Sequence, residues 1–184
     1  MLNSFRSGHV TDLKPYQAAE ADDLVRWYYD RSYRFFFREF ENQLSFEELK
    51  NLGDALSYGG TTLLVIVDKT TGKNIGLMTF VLEKRCSRVY KFGIMLDEGC
   101  QHKTYAIDAI VVLGDFLFRV KNAHKLVVEF CDEDKHIHRI TQKGGFKHEA
   151  TLKEEVCLEG IFFDEARYSL MRETFFELYK DFLP

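Results

Sequence analysis

A chain of 184 residues fits one domain and is long enough to bury a core without disulfide or metal staples. With 46% hydrophobic and 15% aromatic residues, two Pro and twelve Gly, it excludes a disordered or low-complexity chain. A formal charge of −4 argues against a nucleic-acid binder held by phosphate contacts and mildly favours cationic partners.

In chain order, His9 to Lys14 reads as a short first strand and Ala18 to Tyr29 as an amphipathic helix carrying Leu24, Val25, Trp27 and Tyr28. An aromatic segment follows, Tyr33-Arg34-Phe35-Phe36-Phe37-Arg38-Glu39-Phe40. Three consecutive Phe cannot all face inward on a helix or a strand, so core packing and a dimer contact both remain open for it. Ser45-Phe46-Glu47-Glu48 is a capping box, and the helix it opens puts Leu49, Leu52 and Leu56 on one face. Thr62 to Val67 is a continuous apolar run ending in the polar turn Asp68 to Lys73; Ile75 to Leu82 and Arg88 to Leu96 complete three strands. After the break Asp97 to Lys103, a helix to Val120 presents Ala106, Ile110, Leu113, Leu117 and Val120. Lys125 to Phe130 reads as a buried strand and Lys135 to Lys143 as a helix stopped by Gly144-Gly145. Thr151 to Leu158 and Phe162 to Met171 flank Glu159-Gly160, a hairpin turn. The order β-α-α-β-β-β-α-β-α-β-β implies a single α/β (α+β) domain with a mixed sheet of about seven strands and helices on both faces.

Cys86, Cys100, Cys131 and Cys157 are widely spaced, and the first residues lack an apolar signal core, so reduced thiols in a cytoplasmic protein are expected. The stretch Ala106 to Val120 is too short to span a bilayer and is broken by Asp108 and Asp115, so no membrane partner is expected. Cys131, His136 and His138 match no metal-ligand spacing, and no metal is expected. The run Asp132-Glu133-Asp134 reads as a solvated strand end or as an attractor of a cationic amine.

The most informative stretch is strand, break and helix from Arg88 to Val120. A loop feeding a helix N-terminus offers unpaired backbone N–H groups and the positive end of the helix dipole, which suits a pyrophosphate. Gln101-His102-Lys103-Thr104-Tyr105-Ala106 occupies this position, with Thr104 also able to act as an ordinary N-cap. The segment resembles the acetyl-CoA-binding motif of the GNAT N-acetyltransferases, Gln/Arg-x-x-Gly-x-Gly/Ala, with Thr104 in place of the middle Gly. Phe92 to Asp97, Asn122-Ala123-His124-Lys125-Leu126 and Lys143-Gly144-Gly145-Phe146 resemble the flanking segments of that family in the same order. The stretch from Glu149 to Phe175, with Tyr168-Ser169-Leu170-Met171-Arg172, is similar to the ending of its branch of ribosomal-protein N-terminal (alanine) and spermidine acetyltransferases.

The resemblance implies an acetyl-CoA-dependent N-acetyltransferase acting on a primary amine: a protein N-terminus, a polyamine or an amino sugar. It implies that Ile94, Met95 and Leu96 hold the pantetheine arm, that Gln101, His102, Lys103, Thr104, Tyr105 and Ala106 hold the pyrophosphate, and that Asp134 touches cofactor or substrate. Phe35, Phe36 and Phe37 fall where the family lines its acceptor site. The family's thiol-protonating Tyr corresponds to Thr141, with His138 and Tyr90 as alternative donors. These departures leave a second expectation open, a GNAT-like module that senses CoA or binds protein. Partners expected are a small-molecule or peptide amine and a possible homodimer, with no nucleic acid.

Overall fold

The structure is a computed structural model and describes residues 5–38, 44–101, 104–133 and 135–183. Its strands are β1 (Arg6–Ser7), β2 (Thr11–Pro15), β3 (Thr61–Asp68), β4 (Asn74–Lys84), β5 (Val89–Leu96), β6 (Lys125–Cys131), β7 (Lys147–Leu158) and β8 (Ile161–Met171). They form an eight-stranded sheet in the order β1-β2-β3-β4-β5-β6-β8-β7. The strand beyond the expected seven is the two-residue β1, which pairs antiparallel with β2. The β5–β6 pair is parallel, whereas β2–β3, β3–β4, β6–β8 and β7–β8 are antiparallel, so the sheet is mixed. Its helices are α1 (Ala21–Tyr29), α2 (Phe46–Lys50), α3 (Leu52–Tyr58), α4 (Tyr105–Asp115), α5 (Lys135–Lys143) and α6 (Arg172–Tyr179). Among the described residues no helix is long and apolar enough to cross a membrane.

The chain divides into two compact units, Met1–Val81 with Gly93–Leu113 and Leu82–Phe92 with Gly114–Leu183, Pro184 counting with the first. In the first, the apolar run of β3 is buried from Leu63 onward, which is why it reads as continuous rather than alternating. Trp27, Leu24, Phe37, Leu49, Leu52 and Met95 belong to one core cluster with β3. Ser45 caps α2 as its sequence requires: its hydroxyl accepts the Glu48 N–H, and the Glu48 carboxylate accepts the Ser45 N–H at 2.7 Å. In α4, Asp108 turns its carboxylate to the β1–β2 turn. It accepts the backbone N–H groups of His9, Val10 and Thr11 and the Thr11 hydroxyl at 2.6–3.1 Å. Burial pushes its carboxyl up, but those four hydrogen bonds outweigh the cost and hold it below its ordinary range.

In the second unit, Phe118, Phe175 and Tyr168 are fully buried. Gly114 admits Phe175, because a Cβ there would lie 2.5 Å from the ring. The β7–β8 turn places Glu159 at φ 53° and Gly160 at φ 79°, the left-handed pair that matches strand twist in a two-residue hairpin. One expectation fails here. Val120 was placed on the buried face of the helix after the break, yet it is 56% exposed. The helix widens to a π-turn over Phe116–Val120, with the Lys121 N–H donating five residues back to Phe116, and the added residue rotates Val120 outward. Leu113 and Leu117 are buried as expected. After the final hairpin the chain adds α6, a helix not among the expected elements.

Candidate active site

In the first unit, α1 and the segment after it fasten the loop that follows β5. Asp97 accepts the Trp27 indole N–H at 3.2 Å and pairs with Arg26 at 2.8 Å. Its own N–H donates to the Ile75 carbonyl at 2.8 Å, and the Glu98 N–H donates to the Tyr33 hydroxyl at 2.9 Å. The Gln101 amide folds back onto the Leu96 carbonyl at 3.3 Å. The exposed Thr104 accepts the Asp108 N–H at 3.0 Å, so its carbonyl closes the first turn of α4. The Asp68 carboxyl accepts the Thr70 N–H and the Thr71 hydroxyl at 2.9 and 2.8 Å, which hold it below its ordinary range. Ile94 and Ala106 are half-buried, while the side chains of Met95 and Leu96 are buried. What β5 offers at its end is therefore mainly backbone. His102, Lys103 and Asp134 lie outside the described residues.

The three Phe divide. Phe37 is in the core, edge-on to Tyr28 and Phe36 at 5.3 and 5.1 Å between centroids. Phe36 is half-buried with its ring on Gly93, where a Cβ would come within 3.4 Å of it. Phe35 is half-buried beneath the Arg34 guanidinium, 5.3 Å from its ring centroid.

In the second unit a charged ladder crosses the strands. Arg167 of β8 grips Glu83 of β4 with two hydrogen bonds at 2.6 and 3.0 Å and also donates to Glu129 of β6. Lys91 of β5 pairs with Glu129 at 3.3 Å. Glu149 takes Lys125 at 2.8 Å and the Ser169 hydroxyl at 2.7 Å. The Arg167 hydrogen bonds hold the Glu83 carboxyl below its ordinary range. The same partners raise the guanidinium well above its own, led by the bond to Glu83.

His138 of α5 sits between two partners. Its Nε2 lies 2.9 Å from the Asp132 carbonyl oxygen, which only accepts, so Nε2 is assigned the proton. Its Nδ1 then accepts the Tyr168 hydroxyl at 2.7 Å, and the Gln142 amide donates to the same phenol oxygen at 3.4 Å. Tyr168 is 2% exposed and stacks on Phe130 at 5.4 Å. Thr141 is half-buried and its carbonyl accepts the Phe146 N–H. Tyr90 is buried in β5, on the strand face opposite Lys91. Among the described residues no hydrogen bond joins any two of His138, Thr141 and Tyr90.

Sequence reasoning missed Glu83, Glu129, Arg167 and the role of Tyr168. A signal existed: Glu129 stands inside the apolar run Leu126-Val127-Val128-Glu129-Phe130, and a carboxylate there needs a partner from another strand. Among the described residues no group of three or more His, Cys, Asp or Glu is arranged to hold a metal ion.

This architecture has relatives. The fold matches a spermidine N-acetyltransferase from Vibrio cholerae solved with CoA and spermine, at a TM-score of 0.78 and 21% identity, covering 90% of this chain and 97% of that one. It also matches a GCN5-related N-acetyltransferase from Brucella melitensis, at a TM-score of 0.79 and 18% identity, over 96% of this chain and 83% of that one. In sequence, the chain is 24% identical over 131 residues to the spermidine N(1)-acetyltransferase of Vibrio cholerae serotype O1, covering 71% of this chain and 76% of that protein. A family model of the acetyltransferase (GNAT) domain matches residues 11–147, well over half the chain. The chain therefore belongs to the GNAT acetyltransferases, which take their acetyl group from acetyl-CoA.

Proposed function

We propose that this acetyltransferase delivers the acetyl group of acetyl-CoA to a primary amine: a protein N-terminus, a polyamine or an amino sugar. The observation that carries the reading is the match of the acetyltransferase (GNAT) domain to residues 11–147, a stretch that includes β5, the loop after it and α4. Among the described pairs, β6 joins β8 from Lys125 to Cys131 and joins β5 in parallel, Val89–Lys91 against Lys125–Val127. An extended arm bearing amides, such as pantetheine, supplies donors and acceptors at strand spacing. In this reading Ile94, Met95 and Leu96 hold the arm through main-chain groups, and the loop Gln101 to Ala106 turns α4 amides toward the pyrophosphate.

The chemistry follows. A neutral amine attacks the thioester carbonyl, the C–N bond forms, and a backbone N–H near Ile94 stabilises the oxyanion. Collapse breaks the C–S bond; the amine's proton passes to a base, and the leaving thiolate takes one from an acid. Of Thr141, His138 and Tyr90, His138 is the strongest candidate acid, because imidazole is the side chain that most often carries protons in catalysis and this one is partly exposed. The half-buried Phe35 and Phe36 suit an acceptor wall, whereas the core position of Phe37 suits a supporting role. A cytoplasmic setting and a homodimer belong to the same proposal. A related Vibrio cholerae enzyme has been solved as a dodecamer.

The second reading, a CoA-sensing or protein-binding module, draws on Thr104 and Thr141, which replace the expected Gly and Tyr. Calorimetric titration with acetyl-CoA followed by a thiol-release assay across an amine panel separates the two. Binding with turnover supports the enzyme reading, and Thr141→Tyr then raises the rate while Thr104→Gly tightens binding. Binding without turnover on any amine supports the module. No heat and no thermal shift at millimolar acetyl-CoA overturns the enzyme reading and CoA sensing alike, and leaves only the protein-binding module.

A further inference from the structure

Three segments of the second unit meet and concentrate positive charge: the β4–β5 turn Lys84-Arg85-Cys86-Ser87-Arg88, the stretch from Asp115 to Lys125, and the start of α6 at Arg172-Glu173. Backbone hydrogen bonds join them. The His124 N–H donates to the Arg88 carbonyl at 3.0 Å, and the Arg172 N–H donates to the His124 carbonyl at 3.3 Å. Lys125 stands opposite Val89 on one side and Met171 on the other. The Arg172 guanidinium donates to the Phe118 carbonyl. Arg119 and Arg172 lie 5.1 and 5.3 Å from the ring centroid of the half-buried Phe176.

The charge does not cancel locally. These segments carry seven cations: Lys84, Arg85, Arg88, Arg119, Lys121, Lys125 and Arg172. Three carboxylates answer them, Asp115 on Arg119, Glu149 on Lys125, and Glu173. The neighbouring Glu83 is taken by Arg167. Lys84, Arg85, Arg88 and Lys121 are exposed and belong to no ion pair among the described residues. The surplus of four sits on a chain of formal charge −4, so the rest of the protein carries about −8.

Two features of the backbone single out the same place. Arg88 and Asn122 hold φ of 50° and 53°, a left-handed conformation that strains an Arg and that Gly would take without strain. The π-turn Phe116–Val120 rolls Val120 out of the core, leaving an aliphatic side chain between Arg119 and Lys121. An exposed apolar side chain flanked by a guanidinium and an ammonium group, on a surface with further unpaired cations, matches a peptide with carboxylates beside one apolar side chain, since guanidinium binds carboxylate in a two-pronged geometry. The acidic remainder of the protein repels an extended polyanion that runs past the patch, which favours a short acidic segment over a nucleic acid. One exposed Val supplies too little apolar area for membrane insertion.

We infer that this basic surface docks a short acidic segment of a partner protein, with Arg85, Arg88 and Lys121 meeting carboxylates and Val120 meeting an apolar side chain. The test is fluorescence anisotropy with a labelled Glu/Asp-rich peptide carrying one central leucine. A single-stranded RNA of equal charge and vesicles containing anionic lipid are titrated beside it. The peptide is expected to bind most tightly, with affinity falling as salt rises. The double variant Arg85→Glu/Lys121→Glu should weaken binding about tenfold or more, and Val120→Ser several-fold. Arg88→Gly removes a charge while relieving its backbone, so it should lower peptide affinity without lowering thermal stability. All variants should bind acetyl-CoA as wild type does. The inference is overturned if RNA or vesicles bind as tightly as the peptide, if the charge-reversed protein binds the peptide unchanged, or if Val120→Ser has no effect.

Discussion

Met1–Val81 with Gly93–Leu113 is held chiefly by side chains such as Leu24, Trp27, Leu49 and Val65, packed in one apolar cluster. Leu82–Phe92 with Gly114–Leu183 has an aromatic core of its own but also runs Glu83, Lys91, Glu129 and Arg167 across its strands. The four described non-glycine residues with left-handed backbone, Arg88, Asn122, Glu154 and Glu159, all belong to this second unit. The first unit is thus specified by volume and the second by pairing, and the two respond differently to substitution. Apolar packing loses stability in proportion to what is removed. An ionic network tolerates wholesale apolar replacement but not the loss of one partner.

The sharpest break of that contrast is at Arg167. Its side chain is 19% exposed, and the Glu129 side chain it binds only 7%. Arg167→Ala leaves Glu83 and Glu129 facing each other with Lys91 as the remaining cation, and should cost about 3–5 kcal/mol in urea unfolding. Replacing the group together, Glu83→Leu/Glu129→Leu/Arg167→Met, should recover most of that loss. A cost near zero for Arg167→Ala would mean that water already screens the ladder.

Next in size is Leu113→Ala, which tests specification by volume at the end of the first unit. Leu113 is 1% exposed, and truncation should cost about 2–5 kcal/mol. Leu113→Met, which nearly conserves volume, should cost below about 1.5 kcal/mol. Equal losses for the two would show that the site is not closely packed.

Asp108 is a polar anchor inside the first unit, and it tests whether a carboxylate can be as decisive there. Asp108→Asn places an amide opposite donors and should cost about 1–3 kcal/mol at neutral pH. Because the folded carboxyl lies below its unfolded value of about 3.9, its stabilisation is complete above that value and is lost as pH falls through the folded one. The stability difference between wild type and Asp108→Asn should therefore be flat near neutrality and shrink below about pH 4. A difference that persists unchanged into acid points to packing instead.

Local signals were legible and remote ones were not. The capping box at Ser45, the apolar run of β3, the stop at Gly144-Gly145 and the turn at Glu159-Gly160 each depend on neighbours within a few positions. Glu83, Glu129 and Arg167 meet only after folding brings β4, β6 and β8 together, and no periodicity encodes that meeting. The π-turn was invisible for another reason: a helical wheel assumes a constant 3.6 residues per turn, and Val120 falls on the wrong face once one residue is added. Of the site, the strand–loop–helix around Thr104 was legible as a segment. The hydrogen bonds that anchor its loop to Trp27, Arg26 and Tyr33 were not.

The smallest effect separates strain from crowding within the second unit. Gly145 and Gly160 share nearly the same left-handed φ, 82° and 79°. A Cβ at Gly160 would meet nothing within 4 Å, whereas one at Gly145 would lie 2.2 Å from a Leu178 methyl. Gly160→Ala should thus show the backbone cost alone, about 1 kcal/mol, less a few tenths regained from a stiffer unfolded chain. Gly145→Ala carries the same backbone cost plus the displacement of Leu178. That side chain is half exposed, so it has room to move and the addition should stay small. Thermal unfolding of both variants, with Leu178→Ala added to the Gly145 variant, resolves the two parts. If Leu178→Ala restores nothing, crowding is absent and both costs are conformational. If Gly160→Ala is neutral, the hairpin turn relaxes to another geometry, and left-handed backbone does not help to specify this unit.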